Sequence, residues 1–191
     1  MRITGGRARG IILKLPSRGT LRPATGYLRE AVFSALGEMV AGAKVLDMFA
    51  GTGAYGLEAL SRGATHVVLV DANSAAVAAS RANLAAVAKS MGVANSESLG
   101  RASEGDAFVW QPGMGEAFDL VFVNPPYALL PPFGVKLVER ATAWVAHGEN
   151  ARLLLEAPGE YEPELPSGWR MTRRIGKGKR QPCSIIMART T

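Results

Sequence analysis

The stretch Val45-Leu46-Asp47-Met48-Phe49-Ala50-Gly51-Thr52-Gly53-Ala54-Tyr55-Gly56 decides the fold. Its first part is an apolar run broken by one acid, the pattern of a strand covered on both faces. Its second part reads G-x-G-x-x-G, placed where that strand turns into a helix; glycines there permit a sharp reversal and close approach of a ligand to the main chain. The next apolar run, Val67 to Val70, ends in Asp71, 20 residues after Gly51. A carboxylate at that point can accept both hydroxyls of a ribose. The expectation is a nucleotide-type cofactor site. Dinucleotides and S-adenosylmethionine both use such a loop. Asp47 tips the choice, because a carboxylate beside the loop would repel a pyrophosphate and attract the cationic ammonium and sulfonium of S-adenosylmethionine. Asp106 can accept from an adenine amine, or it can cap a helix carrying Phe108 and Val109.

Outward from this stretch the pattern alternates. Ala-rich residues 74–91 predict a helix capped by Asn73 or Ser74. Strands are predicted near Leu99–Ser103, over Phe118–Val123 and over Arg152–Glu156, with a helix from about Phe133 to Ala146. Two more strand-like runs, Trp169–Ile175 and Ser184–Met187, flank the turn Gly176–Pro182. Upstream, Leu28, Val32, Ala35, Leu36 and Met39 form a helical stripe with Thr25 as its N-cap. Two short runs around Gly5-Gly6 suggest a small hairpin. The fold class is therefore α/β: a doubly wound, mostly parallel, Rossmann-like sheet with an antiparallel C-terminal hairpin. Residues 1–43 form a hairpin-and-helix extension of one domain, and residues 44–191 form its catalytic part.

The chain has 191 residues, 48% of them apolar and 20% charged, the balance of a single globular domain. Its apolar runs fall far short of the ~20 residues that span a bilayer. The first residues lack an apolar signal-peptide core, and a single cysteine, Cys183, cannot form an internal disulfide. No Cys/His cluster has metal-ligand spacing. The expectation is a cytoplasmic monomer without metal or membrane. Charge is unevenly placed: residues 1–44 hold 8 Lys/Arg and 2 Asp/Glu, residues 45–168 hold 7 and 14, and residues 169–191 hold 7 and 0. Two basic ends on an acidic body suit a polyanion gripped outside the body. Arg2, Arg7, Arg9 and Arg22 at the front, with Lys177, Lys179 and Arg180 in the tail turn, are the candidate RNA contacts.

Asn124-Pro125-Pro126-Tyr127 follows the strand ending at Val123. Two prolines end the strand in a rigid, extended loop at the sheet edge where ligands of open α/β sheets bind. The chemistry that fits is methylation of an amine whose lone pair is conjugated into a ring or carbonyl. The Asn124 side-chain oxygen and the Pro125 carbonyl can take both N–H groups and draw the lone pair out of conjugation. Tyr127 can stack on a planar substrate.

Together these residues resemble a class I S-adenosylmethionine-dependent methyltransferase, and more narrowly the RsmD family of bacterial 16S rRNA guanine-N2 methyltransferases. The resemblance covers nearly the whole chain: Met1–Gly6, Leu21–Thr25 with Arg29-Glu30, Val45–Ala54, Gly56–Ala64 and the Pro-Pro-Tyr motif. It implies cofactor contacts at Thr25, Arg29, Asp47, Phe49, Gly51, Gly53, Asp71, Ala72, Asp106, Ala107 and Asn124, and a 16S rRNA or small-subunit substrate. Three positions depart from the family pattern. Asn124 stands where the family usually has Asp, Gly26-Tyr27 replaces an Asp-Arg pair, and Ile175-Gly176-Lys177-Gly178 replaces a Tyr-Gly-Asp-Thr-like stretch. Asn124 is shared with adenine-N6 and glutamine-N5 methyltransferases. A glutamine-N5 enzyme would normally carry a sizeable N-terminal helical domain, for which 43 residues leave little room. A nicotinamide oxidoreductase leaves Asn124–Tyr127 without purpose, and a non-enzymatic RNA-binding module explains neither motif.

Overall fold

An apolar run between two helices has no polar face to show water, so it settles inside a sheet covered on both sides. The computed structural model, which describes residues 1–16, 26–176, 178–179 and 181–190, builds such a sheet. Its strands are β1 (Lys44–Met48), β2 (His66–Asp71), β3 (Gly100–Glu104), β4 (Leu120–Val123), β5 (Arg152–Pro158), β6 (Trp169–Ile175) and β7 (Pro182–Arg189). Their order is β3-β2-β1-β4-β5-β7-β6. The five strands from β3 to β5 are mutually parallel, and β7 runs antiparallel to both β5 and β6.

The chain leaves β1 outward to β2 and β3, then returns across to β4 on the other flank of β1. At that reversal the two outgoing connections diverge and leave a crevice at the carboxyl ends of the strands. Among the described residues four α-helices cover the faces: α1 (Gly26–Leu36), α2 (Ala54–Ser61), α3 (Ser74–Ser90) and α4 (Leu130–Thr142). Two apolar clusters result. One packs Val45, Leu69, Phe122 and Leu154 against α1, α2 and α3, and the other packs Leu46, Val68, Val121 and Leu153 against α4.

Local chemistry explains most boundaries. Asn73 caps α3 by accepting from the Ala75 and Ala76 amides at 2.9 and 3.2 Å. The helix α4 begins three residues before the expected Phe133, because Pro131 and Pro132 fall in its first turn, where no amide is needed. The expected strand from Phe118 is shorter. Phe118 makes only one parallel bridge, to Val145, and β4 begins at Leu120.

The N-terminal hairpin is reduced to a bridge between Arg2 and Ile12. Ile3, Ala8 and Leu13 are buried in the first cluster. The amides of Arg7 and Ala8 donate to the Ser61 carbonyl and hydroxyl, satisfying the C-terminal end of α2. Asn83 of α3 bridges the same segment to the glycine loop, donating to Lys14 and Thr52 carbonyls at 3.0 Å. The expected N-cap Thr25 lies outside the described residues. No helix among those described is long and apolar enough to cross a membrane.

Candidate active site

The glycine loop reverses the chain between β1 and α2. Gly53 adopts φ 79°, a left-handed conformation that side chains rarely take. A Cβ at Gly56 would meet Leu69 at 2.5 Å, so glycine there lets α2 pack tightly on the sheet. Phe49 is the one non-glycine described with positive φ, at 58°, a strained conformation in a residue that faces the crevice.

The crevice at the strand ends encloses ≈ 930 Å³ and is bordered by Phe49, Gly51, Asp71, Ala72, Asp106, Phe108, Asn124, Pro125, Tyr127 and Glu156, among others. At one end, Asp71 accepts from the Gly51 amide at 2.8 Å and from the Asn73 amide at 2.9 Å. Each carboxylate oxygen keeps a second lone pair for a hydroxyl in the cleft. Asp106 also borders the cleft, and one of its oxygens accepts from Phe108 N at 2.9 Å. Phe108 and Val109 lie in a hydrogen-bonded turn, not in the helix that the capping alternative for Asp106 required.

Four expected cofactor residues lie away from the cleft wall. Arg29 is fully buried behind α2, where its Nε reaches Glu58 at 3.3 Å and its Nη2 donates to the Arg2 carbonyl at 2.6 Å. The apolar stripe of α1 turns inward and carries this guanidinium with it. Ala107 packs in the second core cluster, and Gly53 backs onto Leu57 and Leu69. Asp47 is only 1% exposed and sits beneath the loop. It accepts from Gly56 N at 3.0 Å and from Asn124 Nδ2 at 3.3 Å. Burial, with the nearby charges of Asp71 and Glu156, outweighs these hydrogen bonds and lifts its pKa to about 7.

Sequence reasoning missed Glu156. Its carboxylate accepts from Tyr55 Oη at 3.0 Å and Tyr127 Oη at 3.3 Å, tying the motif tyrosine to α2. Burial raises its pKa against those hydrogen bonds. The available signal was an acid ending the apolar run Leu153-Leu154-Leu155 at the ligand edge of the sheet.

Of the candidate RNA contacts, Arg2, Arg7, Arg9 and Lys179 are exposed. Arg7 donates to the Met91 carbonyl at 2.5 Å, which fixes it against the end of α3. Arg22, Lys177 and Arg180 lie outside the described residues. Among the described residues, no group of His, Cys, Asp or Glu is placed to hold a metal ion.

A doubly wound sheet with an antiparallel last strand, a glycine loop under an acid-ended strand, and Asn-Pro-Pro-Tyr facing the same crevice define a class I methyltransferase. The chain belongs to the family described as Conserved hypothetical protein 95, which matches residues 1–185. This bears out the resemblance to the RsmD family. Ribosomal RNA small subunit methyltransferase D of Escherichia coli (strain K12) is 35% identical over 182 residues, covering 94% of this chain and 86% of that protein. The solved structure of yhhF from Escherichia coli has a TM-score of 0.79 and 31% identity, over 99% of this chain and 97% of that one. A hypothetical protein of Thermus thermophilus gives 0.72 and 32%, over 97% and 98%.

Proposed function

We propose that this chain transfers a methyl group from S-adenosylmethionine to small-subunit (16S) ribosomal RNA, at the exocyclic N2 amine of a guanine. The observation that carries the reading is Asn124-Pro125-Pro126-Tyr127 bordering the same cleft as Asp71. The cleft suits the cofactor chemically: apolar walls at Phe49 and Phe108, a carboxylate for ribose hydroxyls at Asp71, and another for an adenine amine at Asp106. S-adenosylmethionine, when bound, supplies an electrophilic methyl on a sulfonium.

The chain's own residues do the rest. The guanine N2 lone pair is delocalised into the ring, so the amine is a poor nucleophile. The Asn124 oxygen and the Pro125 carbonyl accept its two N–H groups and localise the lone pair. Tyr127, with its hydroxyl held by Glu156, presents a ring on which the base can stack. Catalysis is then positioning and electrostatics, with no strong base required. The methylated ammonium is itself acidic and gives up its proton afterwards.

Labelled S-adenosylmethionine incubated with unmethylated small subunits, and separately with release factor, tests this. Label recovered as N2-methylguanine supports the reading. Label in a release-factor glutamine or in N6-methyladenine replaces it. Asp71→Ala is expected to weaken cofactor binding by roughly 1–3 kcal/mol, the loss of charge-assisted hydrogen bonds. Unchanged affinity by calorimetry would remove Asp71 from the site.

The acidic middle of the chain does not attract RNA, so the basic ends supply the affinity. Each phosphate neutralised adds about −0.7 to −0.9 to the slope of log affinity against log salt. Replacing Lys177, Lys179 and Arg180 with Ala is expected to weaken RNA binding and flatten that slope by up to roughly two units, sparing cofactor affinity. An unaltered slope would shift the grip to Arg2, Arg7, Arg9 and Arg22.

A further inference from the structure

An asparagine can serve as an acceptor in two ways, and only one of them is useful here. Its amide presents an oxygen at one end and an NH₂ at the other, nearly equal in size and exchanged by a half-turn about one bond. An amine substrate brings two N–H donors. Facing the oxygen it is held; facing the NH₂ it meets donor against donor. The acceptor role of Asn124 therefore requires something that fixes which end of the amide looks into the cleft.

We propose that Asp47 is that positioning residue: its buried carboxylate takes the Asn124 NH₂ and thereby turns the amide oxygen toward the substrate amine. The inference rests on the amine chemistry proposed above. Three observations carry it. Asp47 Oδ1 lies 3.3 Å from Asn124 Nδ2, and Oδ2 is fixed by the Gly56 amide at 3.0 Å. Asp47 is 1% exposed and is absent from the cleft wall, while Asn124 borders it, so the contact lies on the inner side of the amide. Register completes the frame: Asp47 pairs with Phe122 across β1 and β4, and Asn124 follows Phe122 by two, on the same face of the sheet. Above its pKa of about 7 the Asp47 carboxylate is ionised and can only accept, so there it selects the NH₂ end of its neighbour.

The same frame predicts what an amide at position 47 does. In Asp47→Asn the Gly56 N–H still demands an oxygen, so the new NH₂ faces Asn124. Asn124 must then reverse, offering its oxygen inward and its own NH₂ to the cleft. Adding Asn124→Asp repairs the frame, because a carboxylate has an acceptor on both sides: one oxygen takes the inward NH₂ and the other faces the amine.

The test is kinetic and spectroscopic. Asp47→Asn is expected to lower single-turnover methylation of small-subunit RNA by on the order of a hundredfold, with the dissociation constants for S-adenosylmethionine and RNA changed less than about threefold. The double variant is expected to regain at least roughly a tenth of the parental rate. In the parent, the Asn124 side-chain amide protons, assigned by their loss in Asn124→Ala, are expected to exchange slowly with solvent; in Asp47→Asn they exchange fast. A single variant at the parental rate, or a double variant as slow as Asn124→Ala, overturns the proposal. If Asp47→Asn does not fold, the double variant alone decides against that same benchmark. The exchange measurement needs no substrate. It therefore judges the amide orientation even where methylation of a different substrate class has overturned the proposed function.

Discussion

Asn124→Ala is expected to slow methyl transfer by on the order of a hundredfold or more while leaving S-adenosylmethionine binding nearly intact. The reason lies in where the side chain acts. Its oxygen meets the amine most strongly as the lone pair leaves conjugation, so its loss weighs on the transition state more than on the bound ground state. The alanine also leaves the Asp47 carboxylate with only the Gly56 amide. Single-turnover methylation of small-subunit RNA, beside calorimetric titration of the cofactor, separates the two effects. A parental rate would make Asn-Pro-Pro-Tyr a structural turn. Asn124→Asp is expected to keep appreciable activity, because an acceptor survives. Asp47, already raised to about 7 by burial, can hold the proton that separates the two carboxylates.

The largest expected loss of stability is at Glu58. This carboxylate is fully buried in α2, and five donors converge on it. They are the Thr4 amide and hydroxyl, the Gly5 amide and Arg62 Nε, each at 2.8 Å, and Arg29 Nε at 3.3 Å. Arg29 is itself buried, and its Nη1 has no hydrogen-bond partner among the described residues. Removing the acid strands a buried guanidinium and frees residues 4 and 5 from the helix. Glu58→Ala is therefore expected to cost about 3–5 kcal/mol, measured by urea unfolding. The pH dependence has a definite sign. Burial alone would raise the Glu58 pKa, but the hydrogen bonds from Thr4 and Arg62 outweigh it and hold the pKa below the usual 4.5. A depressed carboxylate stabilises the fold above its unfolded value and loses that contribution as pH falls through its folded one. The parent should thus lose stability on acidification below about 4.5, and Glu58→Ala should show less of that loss over the same range.

Periodicity and punctuation made most of the architecture legible. The run from Val45 could only be a strand covered on both faces, and the glycines after it could only be a loop. The place of Asp71, Asn124 and Tyr127 on the cleft was legible because the first ends β2 and the other two lie in the loop after β4, where an α/β sheet presents its ligand edge. What stayed hidden were side chains whose role depends on contacts distant in sequence. Arg29 reads like any cation on an amphipathic helix until Glu58, 29 residues on, is seen to neutralise it in the core. Asp47 reads as a cofactor ligand because the strand ends nearby, yet the pleat turns it under the loop. Glu156 reads as the last residue of an apolar strand, and only the fold brings two tyrosine hydroxyls to it from 29 and 101 residues away. Spacing along the chain reports which edge a residue reaches; it does not report which neighbour waits there.

The place of β7 has a consequence for how the chain acquires its shape during synthesis. Among the described residues it is the last of the seven strands to be made, yet it is an interior one, inserted between β5 and β6. Until residues 182–189 have left the ribosome, β5 presents an unpaired edge of Leu153, Leu154 and Leu155, and β6 has no partner at all. The nascent chain therefore emerges with an open, sticky flank that residues 182–189 close, so the sheet becomes complete only once β7 has been translated.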